Sequence, residues 1–114
     1  RFPMEAQRNG IYAKIYAGFR IDELGHVRDV VILNPEKVGY GLEEEVKRTL
    51  NRLPPLHTRY VGDYVVPFIF GYGAPGDPNP IMPKGTLPTE LMENRRLLDT
   101  IVIMGYSTTS FRRF

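Results

Sequence analysis

Ile11-Tyr12-Ala13-Lys14-Ile15-Tyr16-Ala17-Gly18-Phe19-Arg20-Ile21-Asp22 alternates without a break. Ile11, Ala13, Ile15, Ala17, Phe19 and Ile21 form one set; Tyr12, Lys14, Tyr16, Gly18, Arg20 and Asp22 form the other. A period of two puts each set on its own face, which is the pattern of a half-buried strand. Asp22-Glu23-Leu24-Gly25-His26 is a short, glycine-bearing connection. Val27 opens a second apolar run that ends at Leu33, so the two runs read as a β-hairpin. Val27 is out of phase with Val30 and Ile32, which predicts a bulge near Arg28-Asp29.

The flanking elements follow from their punctuation. Before the first strand, Pro3 suits a first helical turn and Gly10 suits the position just past a helix end. Met4-Glu5-Ala6-Gln7-Arg8 between them are good helix formers. After the hairpin, Leu42, Val46, Leu50 and Leu53 recur at helical spacing. Glu43-Glu44-Glu45 in the first turn and Lys47, Arg48 and Arg52 toward the end match the helix dipole. The three glutamates read as a solvated helix start, and Pro54-Pro55 stops the helix. A third strand runs from Tyr64 to Tyr72, with Val66, Phe68 and Phe70 on one face. Pro67 inside it argues for an edge position.

The predicted fold is α+β. It is a three-stranded antiparallel sheet in the order 2-1-3, with two helices on one face. An extended C-terminal tail adds a further candidate strand. Ile15, Phe19, Val30, Leu50, Phe68 and Phe70 are expected in the core.

The 114 residues suit one domain that buries roughly two-thirds of its unfolded surface. Composition divides the chain into three parts: a patterned domain at 1–72, a connector at 73–88 carrying five prolines, and a tail at 89–114. No run approaches 18 apolar residues, the length that spans a bilayer. The net charge of +2 is too small to imply a polyanionic partner. The chain has no cysteine, which excludes disulfides, thiolate metal sites and a cysteine nucleophile. It opens at Arg1 without a signal peptide, and reads as a piece of a longer protein whose targeting segment lies elsewhere.

The residues offer little for catalysis, and no enzymatic activity, cofactor or metal is expected. His26 sits in the hairpin turn and His57 follows Pro-Pro; neither has a partner at metal-ligand spacing. A phosphate-cradling glycine loop and a nucleophile elbow are both missing. Gly76-Asp77-Pro78-Asn79 offers too few oxygens for calcium and reads as a proline turn. Tyr12, Lys14, Tyr16 and Arg20 interleave aromatics with cations on the outward face of strand one. Such a face can stack nucleobases, but β-propensity explains the tyrosines equally well, and no nucleic-acid partner is expected.

Two segments look unfinished. Tyr64, Val65, Val66, Pro67, Phe68, Ile69 and Phe70 form an apolar edge, and an edge accepts an added strand. Asp99, Thr100, Ile101, Val102, Ile103, Met104, Gly105 and Tyr106 form a β-prone run with no sheet of its own. Residues 73–98 can bring it home: about 1.5 Å per residue gives a reach of ~39 Å, against a radius of gyration of about 13 Å. The tail is therefore expected to lie on strand three, in its own molecule or in a neighbour's.

Residues 2–70 resemble the TonB C-terminal domain family. The resemblance rests on Phe2-Pro3, Ala6 and Gly10-Ile11, then on Ala17-Gly18-Phe19-Arg20-Ile21-Asp22 and Gly25-His26-Val27-Arg28-Asp29-Val30. Leu42 and Val66-Pro67-Phe68-Ile69-Phe70 complete it. The chain departs from the family at Leu53-Pro54-Pro55-Leu56, where an aromatic-rich stretch is usual, and at Asn34–Gly39, where a small Ser-Ser-Gly turn is usual. Asp99–Thr108 resembles a TonB box, the short transporter segment that such domains capture as a strand.

The resemblance implies a periplasmic domain anchored in the inner membrane by a segment absent from this chain. It implies an ExbB–ExbD-type motor, reached through the missing N-terminal region, and an outer-membrane TonB-dependent transporter as partners. A homodimer stays open, because unpaired apolar edges invite one. The alternative expectation is a regulatory or sensory module of a membrane signalling protein or peptidase, with its own tail as pseudo-ligand.

Overall fold

The computed structural model describes residues 2–72, 83 and 89–105. Its fold is α+β, with helices α1 (Met4–Arg8), α2 (Leu42–Asn51) and α3 (Thr89–Met92). The strands are β1 (Ala13–Ile21), β2 (Val27–Ile32), β3 (Gly62–Tyr72), β4 (Arg96–Leu97) and β5 (Ile101–Gly105). The sheet is mixed and five-stranded. Its order is β2-β1-β3, with β4 and β5 both on the outer side of β3. β2 and β3 are antiparallel to β1, while β4 and β5 run parallel to β3.

The three-stranded antiparallel sheet expected from the sequence is thus the larger part of a mixed sheet. Pro67 explains how β3 ends the antiparallel unit and still receives the tail. Pro67 lies opposite Tyr16. The Tyr16 backbone points away from β3: its N–H donates to Asn34 Oδ1 at 2.8 Å and its carbonyl accepts from Leu33 N–H at 2.8 Å. The Pro67 nitrogen, on the paired residue, therefore points outward, where a missing N–H breaks no bond to β1. The tail pairs on both sides of this point. β4 meets Tyr64 and Val65, β5 meets Phe68 to Tyr72, and Val66 and Pro67 fall between them.

The predicted bulge is present. Gly18 pairs with Val31 and Arg20 pairs with Arg28, so Phe19 faces both Asp29 and Val30. Asp29 takes up the kink with φ of 55°. The bulge and the edge position of β2 leave Val30 only half-buried, short of the core burial expected for it. The other five expected core residues are buried.

One face of the sheet carries the main core. Ile15, Phe19, Phe68 and Phe70 meet Leu42, Val46 and Leu50 of α2, with Phe2 and Ala6 closing one end. The start of α2 corrects the reading of its glutamates. Glu44 is exposed, but Glu43 and Glu45 are buried. The Glu43 carboxylate turns back to accept the N–H groups of Val38 and Gly39, the latter at 3.0 Å. Glu45 pairs with Arg48. A buried carboxylate needs such partners. At the hairpin end, Gly25 has φ of +86°, and a Cβ there would lie 1.9 Å from the Leu56 carbonyl oxygen. Only glycine allows that approach.

Candidate functional site

The edge predicted to bind a partner, Tyr64 through Phe70, lies wholly within β3. Tyr64, Val66, Phe68 and Phe70 face the main core. Val65 is buried too, on the opposite face beside Gly18. Pro67 shares that opposite face, and Ile69 is half-buried. The backbone on the outer side of β3 is used by the tail, beginning with Leu98 N–H, which donates to the Val65 carbonyl at 2.8 Å.

Of the tail residues, Ile101, Val102, Ile103, Met104 and Gly105 form β5. Their partners are Phe68, Ile69, Phe70, Gly71 and Tyr72 in that order. Asp99 and Thr100 precede the strand and are exposed, and Tyr106 lies outside the described residues. So does the Gly76–Asn79 turn. Ile103 packs against the main core, whereas Ile101 and Val102 remain 41% and 49% exposed. The strand is held by its backbone and by its second half.

That second half meets an aromatic wall. Phe2 sits edge-on to Phe70 at 5.2 Å between ring centres and tilted against Tyr72 at 5.1 Å. Gly105, beside Tyr72, is buried under these two rings. Sequence reading of the edge and the tail did not single out Phe2, Tyr72 or the β4 residues Arg96 and Leu97. The signal for the wall was weak: two aromatics 70 positions apart, whose meeting depends on helix α1 folding under the sheet.

The outward face of β1 is not a continuous stacking surface. Tyr12 is 51% exposed, but Tyr16 is buried, with Lys14 Nζ 5.3 Å from its ring centre. The Arg95 side chain covers Gly18 so closely that a Cβ there would lie 2.6 Å from Nε. Arg20 Nη1 reaches Asp63 Oδ2 at 3.5 Å. The tail that builds β4 thus also crosses this face.

Among the described residues, polar clusters are sparse. His26 Nδ1 lies 3.5 Å from Arg28, and His57 Nδ1 accepts the Arg59 N–H at 3.0 Å. Among the described residues, no three His, Cys, Asp or Glu side chains are placed to share a metal ion. Among the same residues, no helix is long and apolar enough to cross a membrane. No protein-family model, curated protein or solved structure matches the chain.

Proposed function

We propose that this chain is a non-enzymatic interaction domain of TonB type that captures extended peptide segments by strand addition along β3. Its work is mechanical coupling in the periplasm. An inner-membrane motor of ExbB–ExbD type would supply the pull, and an outer-membrane TonB-dependent transporter would supply the captured segment. One observation carries the reading. The outer side of β3 accepts an extended apolar segment, Ile101–Gly105, through a ladder of five residue pairs. Strand addition of this kind takes affinity from main-chain hydrogen bonds and selectivity from alternate side chains.

A second reading draws on the same observation. The seated segment belongs to the chain itself, as a built-in pseudo-ligand of a sensory or regulatory module would. The sequence preceding Arg1 separates the two. A single membrane helix followed by a proline-rich spacer supports the transducer; several helices with an H-E-x-x-H motif support the regulator.

Calorimetry tests strand capture. A peptide spanning residues 99–106 is titrated into the full chain and into a chain ending at Leu98, which keeps β4. Tethering gives a flexible segment an effective concentration in the millimolar range, so the shortened chain should bind the peptide more tightly. Binding to neither chain would sink the proposal.

A further inference from the structure

We infer that Phe2 and Tyr72 make the β3 edge a glycine-selective slot, so that an occupant with glycine beside Tyr72 is preferred over one with a larger residue. This deepens the proposed strand capture and rests on it for any occupant other than the chain's own tail.

The inference starts from Gly105. Its φ is not in the left-handed region, so backbone conformation does not require glycine there. Space does. A Cβ at Gly105 would lie 3.0 Å from Phe2 Cδ2, 3.2 Å from Phe2 Cε2 and 3.2 Å from Tyr72 Cε1. Three carbon contacts that short sit well inside the ordinary separation of about 3.5–4.0 Å.

Both rings are packed, although Phe2 also borders an open pocket beside Pro3, Gly41 and Arg48. Phe2 is 4% exposed and Tyr72 is 6% exposed. Phe2 is backed by Phe70, itself fully buried. The Tyr72 hydroxyl is tied down 2.9 Å from the Ala6 carbonyl oxygen and 2.8 Å from that of Ile11. A packed interior answers added volume with strain rather than accommodation.

The remaining positions define the rest of the pattern. Parallel pairing sets Ile101, Ile103 and Gly105 on the core-facing side, beside Phe68, Phe70 and Tyr72. Ile103 packs on the core there. Val102 faces the other way and is half exposed. The occupant is thus an extended apolar segment, parallel to β3, with an aliphatic residue two positions before the glycine that the slot favours. The chain's own tail meets this description, and it holds the slot until a matching segment displaces it.

The test uses the full chain. In Gly105→Val, hydrogen exchange should speed up about ten- to hundredfold at those amides of residues 101–105 that bond to β3, the scale of an overpacked site. Amides of β1 report that the fold is kept. Gly105→Ala, a milder variant, should shift the same amides in the same direction. The Gly105→Val chain is then offered two synthetic peptides, one with the sequence of residues 99–106 and one with its glycine replaced by valine. The glycine peptide should bind at least about tenfold more tightly. Unchanged exchange at residues 101–105 in both variants would overturn the slot, and so would equal binding of the two peptides. Released β5 amides with no binding of either peptide would support the slot in its own tail and sink capture of outside segments.

Discussion

The Tyr72 hydroxyl at the end of β3 donates to the Ala6 carbonyl of α1 across 66 positions of sequence, at 2.9 Å. The Ile11 carbonyl oxygen lies 2.8 Å from the same hydroxyl oxygen. Helix α1, the entry to β1 and the end of β3 thus meet on one oxygen atom. Tyr72→Phe removes one hydroxyl donor from this junction, where the Ala6 carbonyl keeps the Ile11 N–H at 3.0 Å, and should cost about 0.5–1.5 kcal/mol by chemical denaturation. Burial also raises the Tyr72 pKa. The folded state therefore holds this proton more tightly than the unfolded chain. The resulting stability is complete below pH of about 10, the unfolded value, and declines above it. Tyr72→Phe should remove that alkaline decline; an unaltered decline in the variant would assign it to another group.

Phe68 tests the core face of β3. It is fully buried and faces Ile15 across the ladder. Phe68→Ala should cost about 3–5 kcal/mol, read as a shift of the urea midpoint at constant slope. A variant that unfolds with the wild type would mean that this face is not the core.

Asp22 sets an acid limit on the hairpin. Its carboxylate accepts from Arg28 Nε at 2.9 Å and from the His26 and Leu24 N–H groups at 2.9 Å each. The Arg28 hydrogen bond foremost, then the His26 N–H, holds its pKa down at about 2 against an ordinary 3.8. A lowered folded pKa gives stability that is present above the unfolded value and is lost as pH falls through the folded one. Denaturant midpoints should therefore drop between about pH 4 and pH 2, and Asp22→Asn should flatten that drop. Parallel acid profiles for the two proteins would remove Asp22 from the account.

The β1 outer face predicts a negative result with single-stranded oligonucleotides. Tyr16 is buried and Gly18 lies under Arg95, so adjacent bases have no unbroken aromatic row to stack on. Fluorescence anisotropy should find no binding at physiological salt. Micromolar binding, weakening with salt as phosphate contacts do, would reverse the ranking of nucleic acid below peptide.

Much of this fold is legible in the sequence, because local rules act there alone. Strict alternation from Ile11 to Asp22 can satisfy only a two-faced strand, and the phase slip at Val27 required a bulge to absorb it. The spacing of Leu42, Val46 and Leu50 required a helix with one apolar side. Pro67 even marked where β3 had no need of an N–H. The burial of Glu43 and Glu45 was not legible, since their composition matches any solvated helix start. For Glu43 it depends on where the Val38-Gly39 backbone passes, and for Glu45 on its pairing with Arg48.

The candidate site was decided by tertiary structure. An apolar run ending at Gly105 does not state its direction, its register or its partner strand, because main-chain hydrogen bonds look alike at every residue. Parallel pairing, the break at Val66-Pro67 and the seat of Gly105 under Phe2 and Tyr72 came from packing between segments about 30 to 100 positions apart. Steric exclusion by two buried rings is a property of their positions in space, and no local pattern of residues encodes it.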